Sequence, residues 1–164
     1  MKGLLMKKII EIILPKAIDN SIQGSKISFY VFAIYAILST VRSCIHIFSS
    51  DGGAGSIAGL DLTVPGADGI IFSFALWGSS QLLFAIIQLI VILRYRALIP
   101  LMYLMLVIEI LLRQLVGIMK PVTFAHTPPG AIGNQLILPL SIIMLIFTIW
   151  SALKQTNKTK SSYS

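Results

Sequence analysis

This sequence predicts an all-α fold, a polytopic integral membrane protein built as a bundle of four transmembrane helices behind a short interfacial amphipathic helix. Three observations carry that expectation. Hydrophobic residues make up 56% of the chain and charged residues only 12%, about half the charged share of an ordinary soluble domain. Mean hydropathy is +0.89. The apolar residues gather into four runs, each long enough at about 1.5 Å per residue to cross a hydrocarbon core of about 30 Å.

The elements follow in order. Residues 1–24 open with MKGLLMKKIIEIILPKAIDN, a basic start and a short apolar run broken by Glu11 and Pro15. A secretory signal needs a longer apolar core and a small-residue cleavage site. Ile9, Ile12 and Ile13 share one helical face while Lys7, Lys8 and Glu11 take the other, the spacing of a helix lying in a membrane interface. The spanning domain covers residues 25–153, with helices expected over 27–48, 68–93, 98–119 and 132–153. The loop after the first helix is Gly-rich, and the loop after the third carries three prolines and His126. The second and third helices are joined by a tight hairpin at Arg94–Arg96. Residues 154–164 are polar and basic and are expected to be a disordered cytoplasmic tail.

Ten of the 13 Lys and Arg residues fall in the N-terminal segment, at Lys26 where the first helix begins, in the 94–96 hairpin and in the tail, against Lys120 alone in the other two loops. That asymmetry places both termini in the cytoplasm of a multi-pass cell-membrane protein. It also explains the net charge of +7 without a nucleic-acid partner. The Asn157-Lys158-Thr159 acceptor triplet then falls on the cytoplasmic side, where glycosylation does not occur.

Three charged residues interrupt the apolar runs: Arg42, Glu109 and Arg113. Charge at bilayer depth costs at least about 2.5 kcal/mol per residue and marks functional positions. Arg42 and Arg113 each lie 15 residues, about 22 Å, into helices that run the same way. Glu109 is one turn from Arg113 in the favourable i, i+4 order. Tyr35, Ser39, Arg42 and His46 form one stripe, and Ser73, Trp77, Gln81, Phe84 and Gln88 form another. Asn134, Ser141 and Thr148 share a face of the last helix. Turning all these stripes to one axis hides them from lipid.

Glu109 neutralises one arginine and leaves the other in want of an anion. Asp51 or Asp68 could supply it from a loop, and so could a ligand. The candidate binding residues are Arg42, His46, Trp77, Gln81, Glu109 and Arg113. The same Arg–Glu–Arg set could instead clamp the helices together. His46 and His126 without an acidic or thiolate cluster make no metal site, and no resident cofactor is expected. A single cysteine, Cys44, excludes an internal disulfide. Pro139 removes one helical hydrogen bond and frees the carbonyl of Gln135.

The segment 68–153, about half of the chain, resembles small four-helix bacterial membrane proteins of the DoxX-like kind. The residues that carry the likeness are RYR at 94–96, Arg113 in the third helix, the proline-bearing loop and NQLILP at 134–139. The resemblance implies the four-helix fold, a bacterial inner membrane and an association with membrane redox partners. The single cysteine argues against a thiol mechanism.

The expected function is a non-enzymatic membrane module. It would bind an anionic or carbonyl-bearing amphiphile, such as a lipid or quinone, or a partner protein, with a homo-oligomer or larger membrane complex as its setting. A transporter or channel subunit with a polar path through Glu109 is an alternative, as is a membrane enzyme acting on lipid or quinone. No motif assigns catalytic residues.

Overall fold

The computed structural model describes residues 2–161, with side chains described for residues 3–155. Five α-helices follow one another: α1 Lys2–Ile13, α2 Lys26–Phe48, α3 Ala67–Arg94, α4 Ile99–Met119 and α5 Pro129–Ser161. A single 3₁₀ turn at Arg96–Leu98 joins α3 to α4. Helices α2 to α5 are each long and apolar enough to cross a membrane.

Local chemistry sets the boundaries. Ser25 caps α2 by accepting a hydrogen bond from the Ile27 amide at 3.1 Å. Gly66, in the left-handed region at φ 86°, turns the chain into α3, whose first turn holds Asp68 against the positive helix end. Pro100 stands in the first turn of α4, where its missing N–H costs nothing.

Helix α5 departs from expectation at both ends. It begins at Pro129 rather than 132, because proline is pre-shaped for a first helical position. It also continues past Leu153 through Ser161, since residues 154–161 contain no glycine or proline to stop it. The tail expected to be disordered therefore starts inside a helix, and residues 162–164 lie outside the described residues. The glycosylation triplet lies among residues whose side chains are not described.

The bundle is two hairpins. Helix α2 packs most extensively on α3, and α4 on α5, while the joint between the pairs is looser. Small residues bring α2 and α3 close: a Cβ on Gly78 would stand 2.6 Å from the His46 Cβ. At the end that carries the 94–96 hairpin, the joint is filled by Phe32, Val91, Ile99, Met102 and Tyr103. The Tyr103 hydroxyl donates to the Ser28 carbonyl of α2 at 2.7 Å, tying the two pairs together. The α1 helix packs on α5 and α4 with Ile12 buried. The linker behind it is pinned twice, by the Ala97 amide on the Asp19 carbonyl at 3.3 Å and by Gln155 on the Gly24 carbonyl at 3.1 Å.

Much of the outer surface is large and apolar, including Ile34, Leu38, Leu83, Ile118 and Ile146. Such a surface goes with helices long and apolar enough to cross a membrane. At the opposite end from the core, the Gly-rich loop folds back into the helix ends. Gly52, Gly53, Ala54 and Ala58 are buried there. The Asp51 carboxylate holds the turn by accepting from the Gly53 amide at 2.8 Å and the Ser56 amide at 2.6 Å. Those bonds, first the Ser56 amide and then the Gly53 amide, pull its pKa down to about 2. The proline-bearing loop crosses this one, with the Ala125 amide donating to the Gly59 carbonyl at 3.1 Å.

Candidate functional site

Where the two hairpins part, beneath the two loops, a cavity of about 850 Å³ opens among α2, α3, α4 and α5. That volume suits a drug-sized or lipid-headgroup ligand. Its walls are mostly aliphatic and aromatic. The charged side chains on them are Arg42, Glu109 and Arg113, which sum to +1.

Helix geometry builds the arrangement. Arg42 and His46 stand one turn apart on α2, and Trp77 faces them from α3. The Arg42 guanidinium carbon lies 5.0 Å from the Trp77 ring centre and the Arg113 carbon 5.3 Å from it. Both are within cation–π range. Placed end to end, these distances keep the two cations within about 10 Å of each other. The His46 ring lies 4.9 Å from Trp77 and 5.8 Å from Phe74.

Glu109 and Arg113 form an ion pair along α4, both side chains less than a third exposed. Arg42 has no carboxylate partner among the described residues. Asp51 is committed to its own loop, and Asp68 is exposed on the first turn of α3. The loop aspartates considered as partners therefore do not reach it. Arg42 instead lies against the first turn of α5: a Cβ on Gly130 would be 3.2 Å from its Nη2. The N-terminus of a helix carries a partial positive charge, and α5 has no acidic residue in its first turn. Two positive features therefore meet there with no anion between them.

His46 is 5% exposed. Its Nδ1 is 2.7 Å from the Gly52 carbonyl, an acceptor, so Nδ1 carries the proton and donates. In the neutral ring Nε2 is then a lone-pair acceptor, and it has no partner among the described residues.

Five of the six candidate residues line the cavity: Arg42, His46, Trp77, Glu109 and Arg113. Gln81 is buried on α3 and does not line it. The polar stripes converge only in part. Ser73 is exposed and donates to its own helix at the Gly69 carbonyl, 2.7 Å away. Thr148 likewise donates to the Met144 carbonyl one turn back, at 2.7 Å. Such back-bonding hides a hydroxyl without a site. Gln88 is fully buried with neither amide atom bonded among the described residues.

Asn134, read in the sequence as part of the polar face of the last helix, also lines the cavity, and so do Gly130, Phe124 and Ile57, which went unnoticed there. The Pro128-Pro129-Gly130 run, a helix start without an acidic residue, was the available signal for Gly130. No group of three or more His, Cys, Asp or Glu residues able to hold a metal ion occurs among the described residues. Compared with protein-family models, curated proteins and solved structures, the chain matches none.

Proposed function

We propose that this chain is a multi-pass membrane protein that binds an anionic amphiphile in the cavity between its two hairpins and does no chemistry on it. One observation carries the proposal: Arg42, without a carboxylate partner, faces an apolar cavity at the positive end of α5. An unpaired cation in low dielectric is costly, and a bound anion removes that cost. Of the two ligand chemistries the sequence left open, the +1 balance favours an anion over a neutral carbonyl such as a quinone's. The guanidinium fork suits phosphate or carboxylate, which take two parallel hydrogen bonds. The aliphatic wall from Ile45, Leu112, Val116 and Ile137 suits an acyl chain.

The basic residues at the 94–96 hairpin, in the N-terminal segment and in the tail support a cytoplasmic position for both termini. The cavity then opens toward the outer leaflet. The DoxX-like resemblance supports a bacterial inner membrane. A partner protein or a second copy on the apolar faces is compatible with this role.

Native mass spectrometry of the detergent-purified protein tests the reading. Wild type is expected to retain an anionic lipid that Arg42→Ala loses while staying folded. A folded wild type that carries no anionic species, even with anionic lipid supplied in excess, refutes it.

A transport reading has one observation in its favour, the unbonded buried amide of Gln88 beyond Gln81 on α3. It would make the cavity the outer half of a polar path. A proton-coupled flux in proteoliposomes that disappears in Glu109→Gln would favour transport over binding alone.

A further inference from the structure

We infer that the ligand's head combines an anionic oxygen with a hydroxyl group, as in a phosphate ester of a polyol; this rests on the anion-binding reading above. The anion sits on Arg42 at the first turn of α5, and the hydroxyl donates to His46 Nε2. Three features of the cavity wall point to that pairing.

The first is the orphan acceptor. His46 is more than nine-tenths buried, its Nδ1 proton is spent on Gly52, and the Nε2 lone pair has no donor. Native structures rarely leave a buried polar atom unpaired, and such an atom calls for a water, an ion or a ligand. The second is position. The His46 ring, the Trp77 ring and the Arg42 guanidinium are consecutive neighbours along one stretch of wall, at 4.9 and 5.0 Å. A single headgroup several atoms across spans that stretch. The third is charge. The donor to Nε2 must be uncharged, because an ammonium would stand beside two guanidiniums of which only one is neutralised. A zwitterionic amine head is thereby disfavoured, and a hydroxyl fits.

A polyol phosphate could come from a lipid or from a soluble ester, and the two are separable. The probes for the full-length protein in detergent are phosphatidylglycerol, phosphatidylethanol and glycerol 3-phosphate. Phosphatidylethanol keeps the phosphodiester anion and the acyl chains and lacks the hydroxyls. Wild type is expected to bind phosphatidylglycerol about tenfold more tightly than phosphatidylethanol, the worth of one hydrogen bond to a buried acceptor. His46→Phe is expected to erase that ratio. Arg42→Ala is expected to weaken both lipids together. Displacement of phosphatidylglycerol by millimolar glycerol 3-phosphate assigns the soluble source, and lack of displacement assigns the lipid.

Equal affinity of wild type for the two lipids overturns the hydroxyl inference and leaves the anion site standing. Failure of both lipids to bind removes the anion site itself. Should His46→Phe not fold, the wild-type imidazole still reports. Its Nε2 nitrogen resonance is expected to shift with phosphatidylglycerol and stay in place with phosphatidylethanol, and the same response to both lipids overturns the inference.

Discussion

Replacing Glu109 by glutamine separates a ligand site from a helix clamp, because the two readings give opposite signs for binding. In the wild type, Glu109 neutralises Arg113 and the cavity carries +1. Glu109→Gln raises that to +2. Arg42 and Arg113 lie within about 10 Å of each other, so an anion bound at Arg42 sits at a comparable distance from the Glu109 carboxylate. At an effective dielectric of about 20, repulsion over about 10 Å is roughly 1.7 kcal/mol. Removing it tightens anion binding by about 15-fold. The same change strips Arg113 of its partner. Breaking a fully buried pair costs about 3–5 kcal/mol. This pair retains 19% and 31% side-chain exposure, so roughly 1–3 kcal/mol is the expected loss of stability. The assay is thermal unfolding of both proteins over a titration of anionic lipid. The variant is expected to start with the lower midpoint and to gain more per unit of lipid. A variant that is less stable and also binds anionic lipid more weakly would refute the electrostatic argument and leave the clamp.

Three further outcomes are expected. Gln88→Leu removes an amide whose unmet hydrogen bonds cost about 1–3 kcal/mol, so its thermal midpoint is expected to rise; a fall would mean that Gln88 is satisfied by a water or solute. Gly24 adopts φ 81°, and a Cβ there would collide with the Thr148 carbonyl. Gly24→Ala is expected to lose about 1–3 kcal/mol and to expose the 14–25 linker to protease, whereas Gly117→Ala, in open space on α4, is expected to lose nothing. Asp51 has its pKa pulled down to about 2 from 3.8 by amide hydrogen bonds made only in the folded loop. A depressed carboxyl stabilises the fold above its unfolded value and stops doing so as pH falls through its folded value. Exchange protection at the Gly53 and Ser56 amides, corrected for intrinsic rate, is therefore expected to hold at about pH 5 and to fall away between about pH 4 and 2. Unchanged protection at pH 2 would contradict it.

The spans were legible in the sequence because a run of apolar residues this long has few other uses. Arg42, Glu109 and Arg113 were legible for the complementary reason, that charge inside such a run is conspicuous. Counting residues along α2 and α4 gave equal heights for the two arginines, and both lie over the same Trp77 ring. What the sequence could not supply was the fate of each hydroxyl. Ser73 and Thr148 read as members of polar stripes, yet each bonds to its own helix. A hydroxyl satisfied one turn back leaves no trace in residue spacing. The neighbour of Arg42 was also hidden. A guanidinium beside a helix start depends on two hairpins meeting at one angle, and no local pattern encodes that angle. The buried Gly-rich loop escaped for a related reason: its composition reads as a solvated turn, while its backbone in fact closes the end of the bundle and supplies the Gly52 carbonyl that sets the His46 tautomer.

The linker after α1 also constrains how the chain is made. The carbonyl of Gly24 waits for the side chain of Gln155, 131 residues downstream. At a synthesis rate of about 5–20 residues per second, that wait is about 7 to 26 s. Until α5 is made, α1 has only α4 of its two packing partners to lie on, and its Leu4, Leu5, Met6 and Ile10 remain exposed even in the finished fold. Helix α1 is thus made well before the last of its packing partners. During that interval the apolar face of α1 lacks the cover that α5 gives it in the finished bundle.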